Sequence, residues 1–299
     1  MTLSEDLAIY AKTICEDTEH GASHILKIAS GSLQTGLRKN PDASPLEIRG
    51  ASKEYVLRLL SKQRQMASIL NFSNRLLKVL AETKDDESVG KNMRDFATNI
   101  SKDSSEALIS IGTYSNKMIL GSRFMTHSRS STLLHFLSQN KEKEETTVYV
   151  THSRPGGEGR LLAGELAVAG IRSILIEDAE AMKYLPDVSA LIVGADAIIP
   201  KGIVNKVGTY MMSLAAKEVG IPVYCLTESI KIWPFDQPIL DGLRVGESHF
   251  ASGNGLFEIT PPHLFKSIIL ETGPVSFNQI PLSGDKNQLA PEIRKLVDL

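Results

Sequence analysis

From residue 117 onward the chain alternates short apolar runs with amphipathic stretches, and few folds accept that pattern. The runs lie at 117–125, 147–151, 173–176, 189–194 and 222–227, and helical patterns at 129–139, 158–169 and 206–219 separate most of them. A strand that is apolar throughout must be covered on both faces, and a helix between strands allows them to pair in parallel. The pattern predicts an α/β domain with a Rossmann-like, doubly wound parallel sheet. The stretch 236–254, with scattered Gly, Ser and Pro, reads as a long loop.

The first part of the chain has a different texture. Leu59, Leu60, Met66, Ala67, Leu70, Leu77 and Leu80 recur at helical spacing and mark one buried stripe. Asp42-Ala-Ser-Pro45 reads as a turn followed by a helix start. Lys84-Asp-Asp-Glu-Ser88 reads as a charged connector in which Ser88 caps the next helix. The expected organisation is an N-terminal helical domain at 1–115 and a Rossmann-like ligand-binding domain at 116–299.

Composition removes several functional classes. The formal net charge is −2, from 33 basic and 35 acidic residues, so no bulk field draws nucleic acid or an anionic membrane to the chain. Cys15 and Cys225 lie in different kinds of segment, with no disulfide framework and no metal-type spacing. The start, Met1-Thr-Leu-Ser-Glu-Asp-Leu, has neither the basic residues nor the apolar core of a signal peptide. No run approaches the roughly 18 apolar residues that a membrane helix needs. The expectation is a soluble, cytoplasmic protein with no metal, cofactor, membrane or direct nucleic-acid partner.

In an open α/β sheet, ligands bind beyond the carboxyl ends of the strands, and four polar clusters fall at that edge. Thr126-His-Ser-Arg-Ser-Ser-Thr132 surrounds a helix start with hydroxyls and Arg129. Free N–H groups and the helix dipole would suit a phosphate there, with Arg129, Ser130 and Ser131 as contacts; equally, the cluster would serve as a helix cap with solvated hydroxyls. In Thr151-His-Ser-Arg-Pro-Gly-Gly-Glu-Gly-Arg160, Arg154 stands just past a strand and offers a planar fork for phosphate, or simply a surface arginine on a Gly-rich turn.

The third cluster is Gly194-Ala-Asp196. An aspartate in partly apolar surroundings has its carboxyl pKa raised and can act as a general acid or base, although edge aspartates often only cap loops. Asn205 and Lys206 would begin a helix and supply an amide and a cation to the same ligand. In the fourth cluster, Glu228-Ser-Ile-Lys231, Lys231 could reach a second anionic group, with a solvated surface lysine as the default. Cys225 reads as buried filler. His127 and His152 flank the first two clusters without three convergent metal ligands.

Together the clusters resemble the family that joins the alpha, beta and delta subunits of translation initiation factor 2B, ribose-1,5-bisphosphate isomerase and methylthioribose-1-phosphate isomerase. Thr-His-Ser-x-Ser, Arg-Pro-x-x-x-Gly-Arg, Gly-Ala-Asp-Ala-Ile, Asn-Lys-Val-Gly-Thr, Glu-Ser-x-Lys and Phe257-Glu-Ile-Thr-Pro-Pro-His carry the resemblance in that order. It also implies that His20, Gly21, Ala22 and Ser23, within Asp17-Thr-Glu-His-Gly-Ala-Ser23, form a phosphate-binding loop.

The resemblance implies that the isomerases work with a cysteine in the first cluster and the aspartate of Gly-Ala-Asp. Asp196 matches the aspartate, and Ser128 stands at the cysteine position. A thiol ionises near pH 8.5, whereas a serine hydroxyl needs a dedicated base, for which His127 and His152 are the nearby candidates. The regulatory subunits also lack the cysteine but usually lose the aspartate as well.

One functional reading leads, with two alternatives behind it. The first is a protein like the alpha subunit of initiation factor 2B, which binds a phosphorylated sugar or nucleotide and has a regulatory or assembly role in translation initiation. The second is an aldose–ketose isomerase like ribose-1,5-bisphosphate isomerase, using Asp196 with Ser128 in place of the cysteine. The third is an interaction protein with an empty pocket. The resemblance implies a homodimer or higher homo-oligomer, formed through the C-terminal domain, and initiation factor 2 or 2B subunits as partners.

Overall fold

The computed structural model describes residues 1–17, 21–139, 145–235 and 255–298. The expected loop at 236–254 lies outside the described residues. The chain divides into two compact units, one of residues 1–106 with 284–299 and one of residues 107–236 with 240–283. This differs from a single boundary near 115, because the C-terminal residues group with the helical unit.

Five helices open the chain: α1 (Leu3–Glu16), α2 (Ala22–Lys39), α3 (Pro45–Gln63), α4 (Ala67–Glu82) and α5 (Asp86–Met118). Two of them start on clear signals. Thr2 and Glu5 form a reciprocal capping box on α1, and Ser44 caps α3 with Pro45 in its first turn. The stripe from Leu59 to Leu80 is buried throughout, but it runs over two helices that part at Arg64–Met66. Ser88 does not cap α5. It lies inside the helix and donates to Asp85 Oδ2 at 2.6 Å, while Asp85 Oδ1 accepts from the Glu87 amide at 3.1 Å.

The second unit carries β1 (Arg123–Thr126), α6 (Ser131–Ser138), β2 (Thr147–Thr151), α7 (Glu158–Val168), β3 (Arg172–Ile176), α8 (Ala181–Tyr184), β4 (Ala190–Val193), β5 (Ala197–Ile199), β6 (Gly202–Lys206), α9 (Thr209–Glu218), β7 (Val223–Leu226), β8 (Phe257–Thr260), β9 (Ser267–Leu270) and β10 (Gly273–Val275). A last helix, α10 (Pro291–Val297), follows in the first unit. Among the described residues seven strands form one sheet in the order β10-β9-β7-β4-β1-β2-β3. All neighbours are parallel except β9 and β10.

The central strands face two cores, as the alternation of side chains requires. Phe124, Val148, Val150, Ile192 and Leu226 pack against α6 and α7 on one side. Met125, Leu191, Val193 and Val223 pack against α8 and α9 on the other. The doubly wound sheet is therefore as expected.

Two details differ. Lys117 and Met118 still belong to α5, so the first strand starts only at Arg123. Asn205 and Lys206 end β6 rather than begin a helix. The β5–β6 hairpin joins β8 in a separate three-stranded antiparallel sheet, and α9 begins at Thr209. Among the described residues no helix is long and apolar enough to cross a membrane.

The winding reverses between β1 and β4. From β1 the chain steps outward to β2 and β3, then returns to place β4, β7 and β9 on the other flank. The crevice beyond the carboxyl ends of β1 and β4 is thus the switch point at which such sheets bind ligands.

Candidate functional site

Ser128 and Asp196 leave from these two neighbouring strands, whose register pairs Phe124 with Ala190 and Met125 with Leu191. The turn after β1 is tight: Ser128 adopts a left-handed φ of 68°, and its amide donates to Ser153 Oγ at 2.7 Å. Ser153, after β2, repeats the conformation at φ 62°. Non-glycine residues rarely adopt this region, so both turns need external support. Asp178, just past β3, supplies it by accepting from the Ser153 amide at 2.7 Å and the Arg154 amide at 2.8 Å.

Charge-assisted bonds of this kind each contribute more than neutral ones. Asp178→Ala is expected to cost about 2–3 kcal/mol. Asp178→Asn, which keeps one acceptor oxygen, should lose about half as much. Urea denaturation of the two variants checks this ordering, and equal losses would remove the assigned role.

His127 ties three segments together. Its Nε2–H donates to the Val207 carbonyl at 2.7 Å, which leaves Nδ1 to accept from the Thr151 hydroxyl at 2.7 Å. The ring is buried, and desolvation holds its pKa below the ordinary histidine value despite the opposing bond to Val207 and the charge of Asp178. With both nitrogens occupied, His127 is a neutral structural link. His152 stands apart, with Nε2 3.6 Å from Glu177 Oε1.

Arg129, Lys206 and Lys231 depart from their expected settings, whereas Arg154 does not. Arg129 is gripped by Glu165 on α7, with Nε to Oε2 at 2.9 Å and a terminal nitrogen to Oε1 at 2.5 Å. Arg154 keeps a side chain 67% exposed, 3.8 Å from Glu177. Lys231, by default a surface lysine, is buried and donates to the Ala195 carbonyl at 2.8 Å, beside Asp196. Lys206 is also buried, and its Nζ lies 2.8 Å from Glu158 Oε1.

The remaining sequence candidates are placed as follows. Ser130 caps α6 by accepting from the Leu133 amide at 3.3 Å, and Ser131 is the helix's first residue. Asn205 is buried and donates to Thr209 Oγ1 at 3.0 Å. Gly21 is the N-cap of α2, which Ala22 and Ser23 begin in the first unit, and His20 lies outside the described residues. Cys225 is wholly buried, and burial pushes its thiol pKa up to about 12.

Glu158, Glu165, Asp178, Glu258 and Glu271 are carboxylates that the sequence reading missed. Glu258 holds the start of α9 through the Gly208 and Tyr210 amides, both at 2.8 Å. Glu271 accepts from the Ser229 amide at 2.9 Å and from its hydroxyl, bracing the turn that carries Lys231. Each lies far along the chain from its partner, so spacing gives no signal. Among the described residues no group of three or more His, Cys, Asp or Glu could hold a metal ion.

The pattern of the Initiation factor 2 subunit family matches residues 18–276. The chain belongs to this family. It is similar to a putative translation initiation factor eIF-2B subunit 2-like protein of Pyrococcus horikoshii, at 37% identity over 161 residues. That match covers 52% of this chain and 58% of the relative, so the chain spans less than two thirds of that protein. It is also similar to the ribose 1,5-bisphosphate isomerase of Archaeoglobus fulgidus, at 28% identity over 91% of this chain and 90% of the isomerase.

Among solved structures, the Pyrococcus horikoshii translation initiation factor eIF-2B superposes with a TM-score of 0.75 at 28% identity, covering 93% of this chain and 98% of that one. Within the Initiation factor 2 subunit family, the chain therefore has both factor-like and isomerase relatives. Identity does not separate the two kinds of relative.

Proposed function

We propose that the protein binds a phosphorylated sugar or nucleotide in the crevice beyond β1 and β4 and acts as a regulatory or assembly subunit in translation initiation. The observation that carries this reading is the setting of Ser128. Its hydroxyl makes no hydrogen bond among the described residues, and the neighbouring His127 already uses both ring nitrogens. An unactivated serine hydroxyl is a poor base and a poor nucleophile at neutral pH. Cys225, near Asp196, cannot replace the missing thiolate, because burial keeps it protonated.

Binding is supported by the cations at this edge. Lys231 stands beside Asp196 at the switch point, and Arg154 projects from the next strand end. In this reading Asp196 orients a ligand hydroxyl. The isomerase remains the second reading, favoured by the retained Asp196, with Ser128 as its partner.

Thermal stabilisation with ribose 1,5-bisphosphate, ribulose 1,5-bisphosphate, ribose 1-phosphate, AMP and GMP tests binding, with turnover followed in the same samples. A ligand held only by the native state at 100 times its Kd adds about 2.7 kcal/mol. We expect stabilisation without conversion, and conversion only after Ser128→Cys. Conversion by the wild type that Asp196→Asn abolishes would establish the isomerase. No stabilisation by any of the five would remove the pocket.

A further inference from the structure

Lys206 has the character of an anion-binding lysine, yet the chain supplies the anion itself. The ammonium is buried and bonded to Glu158 Oε1 at 2.8 Å, with the two side chains only 3% and 16% exposed. Glu158 Oε2 is closed off from solvent and has no hydrogen-bond partner among the described residues. The carboxylate can fold back this way only because residue 156 is glycine. A Cβ there would lie 2.2 Å from Glu158 Oε1 and 2.6 Å from its carboxyl carbon. Glycine at 156 and glutamate at 158 thus act together to fill the seat at Lys206.

We propose that Glu158 is the specificity-determining residue of the pocket, admitting a ligand hydroxyl but not a second phosphate beside Lys206. This rests on the reading of the crevice as a sugar-phosphate site. A hydroxyl carries no charge and can lie against the Lys206–Glu158 pair without disturbing it. A phosphate dianion can only accept, and it brings like charge against Glu158. Like-charge juxtaposition in a desolvated site costs several kcal/mol, and rejection by an unpaired or repelled group is how binding sites discriminate most sharply. The ligand is therefore a monophosphate whose other end carries free hydroxyls.

Calorimetric titration of ribose 1-phosphate, ribose 5-phosphate and ribose 1,5-bisphosphate into three proteins tests this. The proteins are wild type, Glu158→Gln and Gly156→Ala. Glu158→Gln removes the charge, whereas Gly156→Ala keeps both charges and displaces the carboxylate. The wild type should bind one monophosphate at least about ten-fold more tightly than the bisphosphate. In each variant the affinity for the bisphosphate should rise about ten-fold or more relative to that for the monophosphate.

If Glu158→Gln fails to fold, Gly156→Ala carries the comparison alone. Tighter wild-type binding of the bisphosphate, or an unchanged preference in the folded variants, overturns the role of Glu158 and leaves the pocket standing. Failure of all three sugars to bind any of the three proteins removes the pocket reading, and the proposal with it.

Discussion

Gly159→Ala is expected to destabilise the protein by about 4 kcal/mol or more, which places it among the rare severe single substitutions. The glycine is the second residue of α7, where the helix meets the end of β2. A Cβ there would lie 1.8 Å from the Thr151 carbonyl oxygen and 2.9 Å from its carbon. Backbone on both sides must move, and no rotamer change relieves the clash. At about 2–4 °C per kcal/mol for a domain of this size, the melting temperature should fall by roughly 10 °C.

Gly164→Ala is the control. Gly164 lies in the same helix with nothing within 4 Å of the place an added methyl would take, so alanine should be neutral or stabilise by up to about 1 kcal/mol. Comparable melting temperatures for the two variants would show that α7 does not need this close approach. Because Thr151 also bonds His127, displacing α7 should loosen the turn at Ser128 as well.

The second large effect is at His127. His127→Ala leaves the Thr151 hydroxyl and the Val207 carbonyl without their ring partner and opens a cavity between them. The expected loss is about 2–4 kcal/mol. It should also depend on pH. Desolvation holds the folded pKa below the ordinary 6.5, so the unfolded chain takes up this proton first as pH falls.

The contribution of His127 is therefore complete above about pH 6.5 and is lost on acidification toward the folded value, at up to about 1.4 kcal/mol per pH unit. Chemical denaturation between pH 5.5 and 8 should show that slope in the wild type, and His127→Ala should flatten it. An equal slope in both proteins would mean that the ring is not held neutral.

These two sites show what the sequence makes legible. The parallel sheet is readable because strands such as Ala190–Val193 are buried at every position, which only a sheet covered on both faces demands. Ser130 is readable as a cap because its partner, Leu133, is three residues away. The hairpin of Ala197–Ile199 and Gly202–Lys206 is not readable, because its runs are short and its third strand, Phe257–Thr260, is distant in sequence.

The site shows the same division. The types and order of its polar residues are visible, but their pairings are not. Lys206 with Glu158, Arg129 with Glu165 and the Ser153 turn with Asp178 all join different strand ends and helices. A sequence can say that a lysine stands at a sheet edge. It cannot say that a glutamate 48 positions away already occupies it.

The turn at Ser128 has one further implication. The fold uses this residue through its amide and its left-handed backbone, and leaves the side-chain oxygen idle among the described residues. Serine and cysteine are nearly the same size and meet the same backbone cost. Exchange between them is therefore almost invisible to folding, although it decides whether a reactive sulfur is present. This turn can therefore carry either a hydroxyl or a thiol without a change in the backbone that holds it.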